Sequence, residues 1–400
     1  MKEYLKKHRA IIHVLSPIHI GDGTLIKKSE YIHSPKNKTV YIPDIKKLYE
    51  YLYSIGFDEQ FNRHMISKND LGKWLLDNNF KYSEYKDYIK YNIYVGDVEI
   101  CNGGRIGGFK GHDIISFNKD PYGFAYVPGS SIKGMIRTAL LAYIIESNKV
   151  KYKDEISRIT EGLENYQDNK RNKYMDREIH KLENIVFNTL DKTEKVEDAV
   201  NSIMAGLIIS DSKPIDTNNI ILTQKVDYGN NGINRLNILR ESLKPGTKIE
   251  FDITIDEKVF NYDLEYIKEA LKYFNEVSNK YFYSKFKRSN NGNDIVYLGG
   301  GVGIASKIVL YSLLKDKNVE YIQKVFKHTL NKNYNEHKHN KDHLLGVSPH
   351  MCKCTYYNGK LYNMGIGRIE FIWCNGISCY KHGRTYVIFI FNRTRQQIRC

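Results

Sequence analysis

The sequence predicts an α+β protein whose strands form an antiparallel sandwich of βαββαβ type, and three observations carry that expectation. Short apolar runs that read as strands are separated by segments of helical periodicity. Ile220–Val226, Arg235–Glu241 and the stretch to Ile255 follow one another across turns, like hairpin pairs rather than a doubly wound parallel sheet. No short-period repeat points to a solenoid. At 400 residues the chain is long for one domain, so two domains, or one with large insertions, are expected, and a two-domain division falls near residue 205.

Taken in order, Ala10–Leu15 reads as a first strand, whose end delivers Ser16-Pro17 and the turn His19-Ile20-Gly21-Asp22-Gly23. Val40–Ile42 is a second short strand. Pro43-Asp44 then opens a helix in which Ile45, Leu48, Tyr49 and Leu52 share one face. Residues 57–95 read as a polar, tyrosine-rich helical insertion. Residues 101–111 set five glycines around Arg105, Phe109 and Lys110, a loop able to lie against a sugar-phosphate backbone or to serve as a plain surface loop. Tyr126 and Val127 end an extended run, Pro128-Gly129 turns the chain, and Ser130 or Ser131 is placed to N-cap an apolar helix.

A second charged segment, 149–198, has mixed-sign helical patterning. Met204–Ser212 reads as a buried strand ending in a polar turn, and Tyr262–Tyr283 has the length and period of a helix. The glycine-rich turn at 299–303 leads into an expected helix from Ile304 to Leu314.

The balance of 61 Lys and Arg against 46 Asp and Glu leaves a net charge of +15. That favours a polyanionic partner, nucleic acid first and an anionic membrane surface second. The 32 tyrosines offer rings that can stack on unpaired bases. The longest apolar runs, such as Ala139–Ile145, are too short to span a membrane, so a cytoplasmic protein with no membrane partner is expected. Six cysteines in a chain this large do not make a secreted disulfide framework, and reduced thiols are expected.

Chemistry concentrates in few places. Lys133 in the first helical turn and Arg137 one turn later can flank free backbone N–H groups, making an anion cradle, although a capped helix with a solvated basic edge would read the same. In Leu298–Lys307, three residues separate Gly303 from Lys307, and Ser306 occupies the third-glycine position of a dinucleotide fingerprint. Neither ATP nor NAD is implied, and no cofactor is expected. A turn that brings backbone N–H groups and Lys307 to an RNA phosphate fits better.

His19, in a turn, is better placed than His13 to act on a 2′-hydroxyl as general acid or base, but a structural hydrogen bond is the plainer role. His350, Cys352, Cys354, Cys374, Cys379 and His382 could supply four zinc ligands. Their Cys-x-Cys and Cys-x4-Cys spacings are not those of paired knuckles, and no metal is expected. His328, His337, His339 and His343 fall in a Lys/Asn-rich stretch read as solvent-exposed. Asp211, beside Ser212, is read as making local backbone hydrogen bonds.

Leu15–Gly23, Pro128–Gly134 with Arg137, and Leu298–Lys307, in this order, resemble the CRISPR-associated RAMP superfamily of crRNA-binding proteins. Ile209–Ser212, Arg240-Glu241 and Pro245–Thr247 extend the likeness, which is strongest to the subunit family at the crRNA 3′ end of the type III-A (Csm) effector complex. The resemblance implies two ferredoxin-like, RRM-related domains. These would be residues 1–205, with helical insertions near 57–95 and 149–198, and residues 206–400, with the glycine-rich loop. It also implies crRNA, the backbone RAMP subunit and other Csm complex subunits as partners, with host nucleases trimming the crRNA 3′ end.

On that basis a non-catalytic subunit in antiviral defence is expected. Its RNA contacts would come from His19, Gly21, Arg105, Lys110, Gly129, Ser130, Ser131, Lys133, Arg137, Gly301 and Lys307. A metal-independent RAMP endoribonuclease working through His19, and a different RAMP subunit of a type III complex, stay open as alternatives. The family's backbone subunit cleaves target RNA with an aspartate after its first strand; the loop Lys27–Ser34 has none, so that activity is not carried over. The apolar Tyr386–Phe391 run and the basic stretch to Arg399 form an unusual ending that is not assigned to the family pattern.

Overall fold

Strand Leu5–Val14 buries Ala10, Ile12 and Val14 and leaves the residues between them half-exposed, the period of two that a sheet with one covered face requires. The structure is a computed structural model and describes residues 3–102, 105–107, 112–164, 176–229, 232–304, 308–330 and 333–372. Leu5–Val14 lies at the centre of a five-stranded sheet in the order Ile295–Tyr297, Ile366–Ile372, Leu5–Val14, Lys248–Asp256, Leu207–Ile209, with every pair antiparallel. Its register sets Ile12 between Ile249 and Ile369, and Ala10 between Phe251 and Phe371.

A second sheet runs Gly21–Ile26, Ile114–Phe117, Gly232–Leu243, Ile220–Gly229, Ile89–Tyr94, Thr39–Pro43, Ile32–Ser34. The hairpin Cys352–Tyr357 and Lys360–Asn363 joins it at Ile220–Gly229. Two of its pairings are parallel, Ile89–Tyr94 with Ile220–Gly229 and Ile114–Phe117 with Gly232–Leu243. The mixed α+β character therefore matches the sequence, with mainly antiparallel pairing. Each sheet takes strands from both sides of residue 205, so the layers do not divide at that boundary.

Helix Gly129–Ser147 is apolar on most sides because it is covered on most sides. Ile132, Ile136, Ala139, Leu140, Leu141, Ala142, Ile144 and Ile145 are all buried against helices Asp176–Phe187, Leu264–Tyr281 and Leu310–Leu314 and strand Leu207–Ile209. At about 1.5–3 kcal/mol for each large side chain removed from water, this helix anchors the core. Leu264–Tyr281 presents Ile267, Leu271, Phe274 and Ser278 at 3–4 spacing, and Asp263 caps it by accepting the Tyr266 N–H at 2.8 Å. A smaller core of Leu48, Leu52, Phe61, Leu71 and Leu75 holds the helices of the first insertion.

Several sequence expectations need correction. Pro128 is the N-cap of the long helix, since its carbonyl already accepts the Ser131 N–H, so Ser130 and Ser131 follow the first helical residue and cap nothing. The 57–95 insertion is helical only to Tyr85 among its long elements; Ile89–Tyr94 is a strand that turns Tyr91 and Ile93 inward. Met204–Ser212 supplies only the short strand Leu207–Ile209. The helix expected from Ile304 begins at Leu310. His328 and His339 are buried rather than solvent-exposed.

Candidate nucleic-acid interface

The three sequence segments, far apart in the chain, meet at one cleft. Ile20 and Gly21, the helical residues Ser131, Gly134, Met135 and Thr138, and Tyr297–Gly300 line a cavity of about 400 Å³. Backbone contact holds the first and third segments together, because Gly300 donates its N–H to the His19 carbonyl at 2.7 Å. Gly299 has φ +93°, and a Cβ there would lie 2.2 Å from the His19 carbonyl oxygen, so both conformation and space demand glycine. The helix start is drawn in as closely. A Cβ on Gly129 would lie 2.3 Å from the Ile209 carbonyl oxygen, and the Gly129 N–H donates to Asp211 Oδ1 at 2.7 Å. Asp211 thus reaches across the fold to put a carboxylate at the positive end of the long helix, beyond the local turn expected for it.

His19 is the pin of this assembly. It is buried, and its Nδ1–H donates to the Glu241 carbonyl at 2.6 Å, the only sense a carbonyl allows. Burial, seconded by Arg240 and Lys119, lowers its pKa to about 4, so the ring is neutral at pH 7. The neighbouring Glu241 side chain has no exposed surface. It accepts from the Tyr91 hydroxyl at 2.7 Å and the Phe117 N–H at 2.7 Å, and forms an ion pair with Lys119. A buried carboxylate satisfied this fully locks strands Ile89–Tyr94, Ile114–Phe117 and Gly232–Leu243 together.

On the other side of the glycine-rich turn lies an excess of positive charge. Thr223 pairs with Arg240 and Asp227 with Lys353 across the second sheet, which gathers Lys225, Arg240 and Lys353 around one carboxylate, Asp227. Lys353 bonds Asp227 at 2.8 Å. Burial lowers the pKa of Lys225, and Lys353 and Arg240 lower it further; burial also lowers that of Arg240. The turn fits against these cations, since a Cβ on Gly301 would lie 2.9 Å from Arg240 Nη1 and one on Gly303 would lie 3.1 Å from Lys353 Cγ. Three cations sharing one anion in a partly dry site form a ready receptor for a phosphate oxygen.

The other residues singled out from the sequence are distributed as follows. Gly21 and Ser131 line the cleft, and Ser130 is exposed at the helix start. Lys133 is half-buried, has no carboxylate partner among the described residues, and is lowered in pKa by burial and by Arg137. Arg137 does not share the free edge expected for it. Its guanidinium pairs with Glu183 at 2.9 Å and lies over the Phe187 ring, because helix Asp176–Phe187 packs on that side. Gly301 makes its close approach to Arg240 within the protein. Lys110 and Lys307 lie outside the described residues, as do the Arg105 side chain, Cys374, Cys379, His382 and the segment from Tyr386 to Arg399. Cys352 and Cys354 are buried, and both face Asn363. Sequence reading missed Lys225, Lys353 and Lys119 as site residues. The alternation Thr223, Lys225, Asp227 sets Lys225 on the face of Asp227, but Lys353 reaches that face from a strand more than a hundred residues away.

The RAMP superfamily model matches residues 11–304. A Streptococcus thermophilus relative named "CRISPR system Cms protein Csm5" is 29% identical over 342 residues, which is 80% of this chain and 87% of that protein. A relative of the same name from Mycobacterium tuberculosis (strain H37Rv) is 26% identical over 395 residues, 91% of this chain and 97% of that protein. A chain of the cryo-EM structure of a type III-A Csm–crRNA–target RNA ternary complex matches with TM-score 0.60 and 19% identity over 91% of this chain and 100% of its own length. The crystal structure of T. onnurineus Csm5 gives 0.56 and 17% over 90% and 99%. At these identities the two structures speak to the fold. No helix among the described residues is long and apolar enough to cross a membrane.

Proposed function

The chain belongs to the RAMP superfamily, and from that membership we propose that it is a non-catalytic crRNA-binding subunit of a type III-A (Csm) CRISPR effector. The observation that carries this reading is the convergence of three segments on one cleft, beside a cluster of three cations that share one carboxylate. Relatives named Csm5 that align with most of this chain support the assignment to that subunit. In this reading the protein sits at the crRNA 3′ end against the backbone subunit and supports 3′ maturation by recruited nucleases, as the resemblance of its motifs to that subunit family implies.

In this reading the cleft takes the sugar-phosphate backbone of single-stranded RNA. Asp211 holds the Gly129 N–H, so it is the exposed Ser130 and the cleft-lining Ser131 that meet a phosphate, and Lys133 supplies charge. Lys225, Arg240 and Lys353 take a neighbouring phosphate, and the glycines keep the walls low enough for close approach. His19 positions the walls. Its Nδ1–H holds the Glu241 carbonyl and its ring is buried, which leaves Nε2 little access to a 2′-hydroxyl.

Binding of 5′-labelled crRNA in EDTA across a salt series tests the reading. Removing one phosphate contact from single-stranded RNA lowers the slope of log affinity against log salt by about 0.7. Lys133→Ala should lower it by roughly that amount and Lys225→Ala with Lys353→Ala by up to twice as much, with the RNA left intact. Unchanged slopes in folded variants remove these residues from the site. A discrete product in EDTA that disappears in His19→Ala makes the endoribonuclease reading primary.

A further inference from the structure

We propose that His339, Asp342 and His350 form a site for one divalent transition-metal ion of the zinc class, built into the loop that precedes strand Cys352–Tyr357. One ligand atom from each of the three side chains lies within 4.8 Å of the others. His339 Nδ1 is 3.1 Å from Asp342 Oδ2, and His350 Nδ1 is 2.6 Å from Asp342 Oδ1. Ligands about 2.0–2.2 Å from one tetrahedral ion stand roughly 3.3–3.6 Å apart, so the two His–Asp pairs must open slightly and any wider separation must close by about 1 Å to admit a metal.

The chemistry of the donors selects the ion. Asp342 has no exposed surface, and His339 and His350 are only 8% and 9% exposed. Among the described residues no Lys or Arg pairs with Asp342; its partners are the two imidazoles and the Ser348 hydroxyl. A dication bound by all three donors would set its charge directly against this wholly buried carboxylate. Two imidazoles and one carboxylate suit zinc and its neighbours in the first transition row, while calcium and magnesium call for oxygen donors.

The surroundings hold the donors in place. The Ser348 hydroxyl donates to Asp342 Oδ2 at 2.6 Å, and the Tyr311 hydroxyl donates to the Ser348 carbonyl at 2.6 Å. The His339 ring stacks on Phe326 with centroids 4.4 Å apart, and Gln323 Nε2 donates to the His339 carbonyl at 2.8 Å. Such outer partners orient ligands and tune their basicity. The ion would tie His339 and Asp342 to His350, and so steady the entry to the strand that carries Lys353. The site stands on its own donors and does not depend on the RNA-binding reading.

The test is the metal content of the tag-free full chain, by mass spectrometry after equilibration with zinc and removal of free metal. Wild type should hold about one equivalent, and His339→Ala with His350→Ala should lower the retained metal at least about tenfold. Cys352→Ser with Cys354→Ser should leave it unchanged. Chelation should lower the wild-type melting temperature, and zinc should restore it. If the double histidine variant fails to fold, cobalt substitution of wild type decides: bands of nitrogen and oxygen ligation support the site, and intense thiolate charge transfer overturns it. A wild type that retains no metal and melts alike with and without chelator also overturns it, leaving a hydrogen-bonded His–Asp–His clasp. Metal lost from the cysteine variant but kept by the histidine variant overturns it as well.

Discussion

His19 joins two of the three cleft-forming segments through its carbonyl and fixes the strand beneath them through its ring. With a folded pKa of about 4 against about 6.5 in an unfolded chain, the unfolded state binds more protons at intermediate pH. Its stabilising contribution is therefore full above pH ~6.5 and is lost as pH falls through about 4, to the extent of about 3 kcal/mol. Urea unfolding at pH 7 and pH 4.5 should show wild type losing about 2–3 kcal/mol more than His19→Asn, which keeps a donor but cannot titrate. Equal losses would mean that the ring is already solvated in the folded state. The residue type and its turn were legible in the sequence; its burial was not, because Glu241, its partner, lies 222 residues away.

At the scale of elements, helix Gly129–Ser147 carries a test of what the cleft is for. Gly134 is exposed within it, lines the cleft, and has no atom beyond its own chain neighbours and helix backbone within 4 Å of the place a Cβ would occupy. Nothing inside the protein demands glycine there, although glycine costs a helix about 1 kcal/mol relative to alanine. Close approach of a ligand backbone supplies the missing reason. Gly134→Ala should raise unfolding stability by roughly 0.5–1 kcal/mol and still weaken crRNA binding several-fold. A variant that is stabilised and binds as wild type would show that RNA does not reach this turn.

Elements with local causes were well read from sequence. Asp44 and Asp263 cap the helices that follow them, and Thr39–Pro43 and Ile220–Gly229 form where branched and aromatic residues cluster. Elements with distant causes were not. The start of the long helix is capped by Asp211, 82 residues on, and Ile89–Tyr94 is a strand because Thr39–Pro43 and Ile220–Gly229 flank it.

At the scale of the molecule, chain topology decides what the motifs become. Leu5–Val14 pairs with Lys248–Asp256 on one side and Ile366–Ile372 on the other, so the end of the first strand meets the glycine-rich turn. In the second sheet a hairpin and a strand from far along the chain assemble Lys225, Arg240 and Lys353, a cluster that no sequence window contains. The net charge of +15 announces a polyanionic partner, but only the fold concentrates that charge beside a cleft. The most direct test is a photo-crosslinking side chain at Ser131 in an effector assembled on labelled crRNA, with the cross-linked nucleotide mapped. The account predicts cross-links confined to the 3′ region of the crRNA. Cross-links to the 5′ end, or to protein alone, would contradict it.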